Sequence, residues 1–281
     1  MNDRDNAVLI QNALHERFGD TFAVDPEMDG LASLANLAGR KVHRNYDGRL
    51  VSDDLLRLLC ACALSAPSKS DLQQADILIL LDPQKRKVIA DLIPEMPWVG
   101  TAPAFLVFLA NARRVPAIAQ HRGKPFPNDH LDLFFNATVD AAIALSTFVR
   151  AAETAGLGCC PISVIRDHAA TISDLLALPD RVIPVAGLCV GWPAGEGLIS
   201  PRLSLELTLH EDRYDEGDLT AHIDAFDRRR AQTRPYASQR EVGRWGEAAD
   251  YGWSEDKARQ YATPQRADFG AFVRSKGFRL D

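Results

Sequence analysis

The sequence predicts an α+β fold, and three observations predict it. Short continuous apolar runs at residues 77–81, 104–109 and 182–190 read as buried strands. Longer segments with apolar residues at helical spacing lie between and around them. The composition of the 281-residue chain, 46% hydrophobic and 25% charged, is globular and excludes a disordered, collagen-like or coiled-coil protein.

Each element has its own reason. Residues 6–18 carry apolar residues at helical spacing and stop at Gly19; Pro26 to Gly30 is a break, and residues 31–37 form a second short apolar segment. Residues 40–49 are basic and polar. Ser52 caps a helix running to about Leu64, with Asp53 and Asp54 in its first turn, and Ala66-Pro67-Ser68-Lys69-Ser70 stops it. After the first strand, residues 84–93 are helical and end at Pro94 and Pro97. Residues 112–130, with three prolines and many charges, read as a loop. Residues 134–155 form a long helix ended by Gly156-Leu157-Gly158. Between 137 and 152 its only charges are Asp140 and Arg150, so it belongs in a core or a subunit interface. Residues 167–178 are helical, with Pro179 just beyond. In residues 203–210, Leu203, Leu205, Leu207 and Leu209 alternate with polar residues, the pattern of a half-exposed antiparallel or edge strand. From 215 the chain turns polar and Arg-rich, with helices expected at 219–230 and 254–278 and a mobile loop at 233–252.

Charge and motifs exclude several functions. Lys plus Arg total 32 against 38 acids, a net charge of −6, which argues against a nucleic-acid partner. The apolar stretches read as too short and too interrupted to span a bilayer, and residues 1–15 lack a basic start followed by an apolar core. No membrane partner and a cytoplasmic location are therefore expected. The five cysteines, Cys60, Cys62, Cys159, Cys160 and Cys189, fit reduced thiols, and their spacing matches no zinc site. The seven histidines are scattered, so no metal is expected. GxSxG, HExxH, P-loop and GxGxxG motifs are all missing.

A basic cluster, Arg40-Lys41-Val42-His43-Arg44, stands before the helix that Ser52 caps, where it reads either as a phosphate grip or as a solvated loop. Residues Ser68, Lys69, Ser70, Asp71 and Gln73 offer hydroxyl and amide groups before a strand, or form an ordinary turn.

Taken in order, four segments resemble the nitroreductase-fold FMN flavoproteins, within them the NADPH-dependent nitroreductase and flavin reductase group. The basic run through Tyr46 looks like that family's basic-basic-Ser-x-Arg-x-aromatic segment, and Ala66-Pro67-Ser68 with Gln73 like its APSxxNxQ turn. Residues 156–166 resemble its glycine-rich segment. Gly187-Leu188-Cys189-Val190-Gly191-Trp192-Pro193, followed by Pro201-Arg202-Leu203, looks like its GLCLGWP…KPRLP strand and loop. The likeness covers residues 35–215 well and the tail loosely.

The resemblance implies a three-layer homodimer whose central, mainly antiparallel sheet is flanked by helices, with the long apolar helix at the subunit interface. It implies an N-terminal helical extension over 1–30 and a single domain over 31–281, of which 215–281 is a helical tail with a mobile loop. FMN would be the cofactor and NADPH or NADH the cosubstrate. Arg40, Lys41, Arg44 and Arg202 would meet the flavin phosphate, with Val42 and Lys69 in the same binding segments. Ser68, Ser70 and Gln73 would bond the ribityl chain or the ring edge, and Pro161, Ile162, Ser163 and Val164 would pass under the ring. Arg240 would bind NAD(P)H, Arg234 and Arg244 being the other candidates. The chemistry would be flavin-borne with no catalytic side chain. Hydride from NAD(P)H would reduce a small-molecule acceptor (nitroaromatic, quinone or flavin) by a ping-pong cycle. Val42 stands in place of Ser, Asp71 of Asn, Ser163-Val164 of Gly-Gly and Ser200 of Lys. Two other readings stay open: a flavin-binding protein of this fold without reductase activity, and a non-enzymatic member that has lost FMN.

Overall fold

A computed structural model describes residues 3–281. In chain order its elements are α1 (Asp3–Phe18), α2 (Leu31–Ala38), α3 (Asp53–Leu64), β1 (Ala75–Ile79), α4 (Pro83–Leu92), α5 (Trp98–Thr101), β2 (Ala104–Asn111), α6 (Arg114–His121), α7 (Leu131–Thr154), β3 (Gly158–Ile162), α8 (Ala169–Leu175), β4 (Val182–Gly191), α9 (Leu205–Thr208), α10 (Leu219–Thr233), α11 (Val242–Trp245), α12 (Trp253–Tyr261) and α13 (Phe269–Ser275). Two compact units divide them. A helical unit runs up to Lys41 and from Leu198 to Gln265; a sheet unit comprises Val42–Gly197 and Arg266–Asp281.

The sheet unit contains one four-stranded sheet of order β1-β2-β4-β3, antiparallel throughout. Successive side chains of a strand point to opposite faces. On β2, Phe105, Val107 and Leu109 enter an apolar layer with Ile89 of α4, Val99 of α5 and Ile172 of α8. Ala104, Leu106 and Phe108 enter the other layer, with Leu59 of α3 and Phe148 of α7. Phe108 and Phe148 meet edge to face, 5.8 Å between ring centroids. Both faces are covered, so β2 is buried along its whole length and carries an unbroken apolar run. This is the three-layer α+β architecture that the sequence predicts.

α3 begins where Ser52 predicts, its Oγ accepting from the Leu55 N–H at 3.3 Å. Five expectations differ. β3 falls where a glycine-rich turn is expected. Gly, two Cys and Pro are weak strand formers, but β3 is an edge strand and an edge tolerates Pro161. α6 occupies part of the expected loop at 112–130, with Pro116 inside its first turn, where the missing N–H costs nothing. Residues 167–178 divide into a 3₁₀ turn, Val164–His168, and α8. Residues 203–210 form no strand. The helical unit contains no strand among its described residues to pair with them, and the chain coils into α9. Pro264 separates α12 from α13, which read as one helix in the sequence.

The 24 residues of α7 also meet the length and apolar composition of a bilayer span, contrary to the sequence reading. Ala144, Phe148 and Ala152 nevertheless pack into the sheet core. Its opposite flank leaves Leu131, Phe135 and Val139 exposed, as Leu58 and Leu64 are on α3. In the helical unit, α1 and α2 pack through Ala7, Ile10, Ala13, Leu31 and Ala38, with Ile199 beside them.

Candidate active site

In the helical unit, Arg40 and Arg202 come together, and Arg17 at the end of α1 bonds the backbone of both stretches. Its guanidinium donates to the carbonyls of Ala38 at 3.0 Å, Arg40 at 2.7 Å and Ser200 at 3.2 Å. The Arg17 carbonyl accepts the Arg202 N–H at 2.7 Å and Nη1 of Arg229 at 3.0 Å. Arg229 also donates to the Arg202 carbonyl. Gly19 is needed here twice over: its φ is +80°, and a Cβ would sit 2.8 Å from Arg229 Cδ. Partial desolvation, and then repulsion from Arg40, hold the Arg202 guanidinium below its ordinary pKa. Where the resemblance expects a lysine, the Ser200 Oγ accepts from Arg234 Nη1 at 3.1 Å. Lys41 follows Arg40, half-buried. Neither Arg17 nor Arg229 stands out in the sequence, since each is one charge on a helix far from any motif.

The run continues into the sheet unit. Val42 packs on the sheet core instead of offering a hydroxyl. The His43 N–H donates to the Cys159 carbonyl at 3.1 Å. Its side chain lies against two glycines, where an added Cβ would come within 2.7 Å at Gly158 and 2.9 Å at Gly197. Arg44 stacks on Trp98, 5.1 Å from the ring centroid. The Tyr46 hydroxyl donates to the His43 carbonyl at 2.8 Å, and burial pushes its pKa up strongly. Burial also pushes the Cys189 thiol up to about 12, which keeps it a neutral packing residue.

The turn before β1 is held from both sides. Asp140 of α7, 3% exposed, accepts from Ser68 Oγ at 2.8 Å, the Lys69 N–H at 3.0 Å and the Gln74 N–H at 3.1 Å. Ser68 Oγ in turn accepts the Gln73 N–H at 2.8 Å, and Arg114 donates to the Gln73 carbonyl. Between these anchors Ser70, Asp71 and Gln73 have φ of 50°, 56° and 51°, a region non-glycine residues rarely enter. The Asp71 carboxylate accepts from Gln73 Nε2 at 3.2 Å. Ser68, Asp71, Gln73, Gln74, Asp140 and Arg114 line a cavity of about 640 Å³, to which Lys69 and Ser70 do not contribute. Pro161 and Ile162 end β3 opposite Leu188 and Gly187, Ser163 leaves the ladder, and Val164 rests on the core.

Arg240 lies apart from all of these along the chain, in a segment pinned by side chains. Its N–H donates to the Tyr251 hydroxyl at 2.8 Å, and its guanidinium is 3.4 Å from Asp256. Arg259, 5% exposed, donates to the carbonyls of Arg240 and Gly246, both at 2.9 Å. Burial opposes the charge on Asp256, but Lys257, the Tyr251 hydroxyl and Arg240 hold its pKa below the ordinary value. Arg244 donates to Thr263 Oγ1 at 2.8 Å and stacks on Trp245. Among the described residues, no cluster of His, Cys, Asp or Glu is placed to hold a metal.

A sheet packed between helix layers in one unit, and a group of arginines tied together by backbone carbonyls in the other, define an α+β protein class. The comparisons with known proteins give the class a name. Residues 37–192 match the nitroreductase family and residues 200–281 its C-terminal domain, so the chain belongs to that family. An FMN reductase [NAD(P)H] of Bacillus subtilis is 30% identical over 251 residues, 88% of this chain and 98% of the relative. An oxygen-insensitive NADPH nitroreductase of Salmonella typhimurium is 33% identical over 185 residues, 65% of this chain and 74% of the relative. Among solved structures, B. megaterium NfrA2 superposes with a TM-score of 0.79 at 30% identity, covering 89% of this chain and 98% of that one. The NADPH:FMN oxidoreductase of Vibrio harveyi complexed with NAD+ gives 0.74 at 25% identity, covering 87% and 97%.

Proposed function

We propose that this chain is an FMN-dependent oxidoreductase that takes hydride from NAD(P)H and reduces a small acceptor, a nitroaromatic, a quinone or a flavin. The observation that carries the reading is the Arg40–Arg202 pair. Two guanidiniums held together repel each other, and an anion of charge near −2 relieves that repulsion. The donor set therefore fits a flavin phosphate. Arg40, Lys41 and Arg202 take the phosphate, and Arg234 at Ser200 offsets the lysine missing there. Ser70 and Gln73 take the ribityl chain or the ring edge. Ser68 spends its hydroxyl proton on Asp140, which leaves it one acceptor lone pair for a ligand. Residues 161–164 support the ring from below, and no side-chain acid or base is needed. Bound FMN supplies the two-electron chemistry between the nicotinamide and the acceptor.

The exposed apolar flank of α7, with Leu58 and Leu64 of α3, supports a homodimer through those helices. A cytoplasmic enzyme with no nucleic-acid or membrane partner fits the acidic composition.

The test is the absorbance of the purified protein near 450 nm before and after anaerobic NADPH or NADH. A yellow protein that bleaches is the expected result. A yellow protein that neither nucleotide bleaches is a flavin-binding protein only, and a protein that takes up no FMN overturns the reading.

A further inference from the structure

α1 lies outside both family segments, which begin at residue 37 and residue 200, yet it reaches the arginine nest. Arg17 is the contact. Its fork collects three carbonyl oxygens, those of Ala38, Arg40 and Ser200, from two stretches of chain separated by 160 residues between Arg40 and Ser200. The Arg17 carbonyl and Arg229 then fix the backbone of Arg202. Two physical consequences follow. Carbonyl oxygens left open beside Arg40 and Arg202 would oppose an anion; Arg17 absorbs those of Ala38, Arg40 and Ser200, and Arg202 itself takes that of Pro201 at 3.2 Å. In a trans peptide the N–H points opposite to the C=O, so turning the Arg40 carbonyl toward Arg17 turns the Lys41 N–H away from it, in the sense that a backbone donor needs to face a ligand. The mutual repulsion of Arg40 and Arg202 also has to be held against, and Arg17 ties both stretches to one rigid group.

We propose that Arg17, on the N-terminal helix, is a positioning residue for phosphate recognition, holding Arg40 and Arg202 in an anion-binding arrangement. The inference rests on the reading of Arg40 and Arg202 as the flavin-phosphate site.

The test compares FMN with riboflavin, which lacks the phosphate, by fluorescence titration of the flavin-stripped full-length chain. Arg17→Met keeps the stem and removes the donors. It is expected to weaken FMN about tenfold while leaving riboflavin unchanged, so that the affinity ratio collapses as it does in Arg202→Ala. An Arg17→Met chain that binds both flavins as before, or loses both equally, overturns the proposal and makes Arg17 a fold contact. An Arg202→Ala chain with an unchanged ratio removes the phosphate reading itself, and the proposal with it. Should Arg17→Met not fold, Arg17→Lys gives the same readout, because an ammonium keeps the charge and loses the planar fork; a wild-type ratio there overturns the proposal.

Discussion

Two polar structures in this molecule are built in opposite ways. Around Arg17, guanidiniums donate to backbone carbonyls, Arg40 and Arg202 repel each other, and the Asp20 carboxylate acts on Arg229. Around Asp140, one buried carboxylate accepts three donors, and its charge is spent inside the protein. The first gathers like charges on one fixed stretch of backbone. The second pins a turn whose value lies in the shape it imposes on residues 68–74, although the buried side-chain amide of Gln74 finds no partner among the described residues. Binding sites need both: charge that is not neutralised at home, and backbone that does not move.

The largest effect belongs to the carboxylate clamp. Asp140→Asn places an amide N–H where a second acceptor oxygen stood, leaving at least one buried donor unpaired. A loss of about 3 kcal/mol in urea unfolding is expected, since breaking a bond to a buried charged group costs that much. A loss below ~1 kcal/mol would show that the turn relaxes onto water and that the clamp is not rigid.

Arg240 is the intermediate case, a cation partly neutralised by Asp256. If it binds the 2′-phosphate of NADPH, Arg240→Ala should lower the NADPH/NADH preference in kcat/KM about tenfold, the effect of one charge-assisted contact. An unchanged ratio removes Arg240 from nucleotide recognition and leaves it a loop anchor.

The smallest effect belongs to Asp129 in the sheet unit, which Arg181 pairs and Arg279 approaches at 3.5 Å. Arg181 bonds Asp129 through both oxygens, at 2.6 and 2.8 Å, and so holds the carboxyl below its ordinary 3.8. A carboxyl with a lowered folded pKa adds stability that is complete above the unfolded value and is lost as pH falls through the folded value. Asp129→Asn should cost ~1 kcal/mol at neutral pH, with solvent screening keeping it small. It should also flatten the loss of thermal stability below about pH 4, where wild type falls more steeply. Parallel acid limbs for the two proteins would remove Asp129 as a source of that slope.

Much of the fold was legible in the sequence. The unbroken run at β2 can only be buried on both faces, and Ser52-Asp53-Asp54 can hardly be anything but a helix start. The two misread strands share one cause, which is that a neighbour decided the outcome; the break between α12 and α13 was instead written locally, in Pro264. Residues 158–162 become a strand because β4 lies beside them, and residues 203–210 fail to become one because no strand among the described residues of their unit can pair with them. The candidate site divides in the same way. The basic run, the Ala66-Pro67-Ser68 turn and Arg202 are visible as motifs. Asp140 is visible only as a charge in an apolar helix, a signal that could have marked it as a buried acceptor. Arg17 leaves no local signal at all.

By itself the sequence determined the buried strands β1, β2 and β4, the principal helices and that the chain is a nitroreductase-family protein, because periodicity, caps and ordered motifs are local properties of the chain. Only the tertiary structure decided which cations stand together and which carboxylate holds which turn. Those pairings join residues far apart in sequence, and their strength depends on angstrom-scale distances and burial that no local pattern encodes.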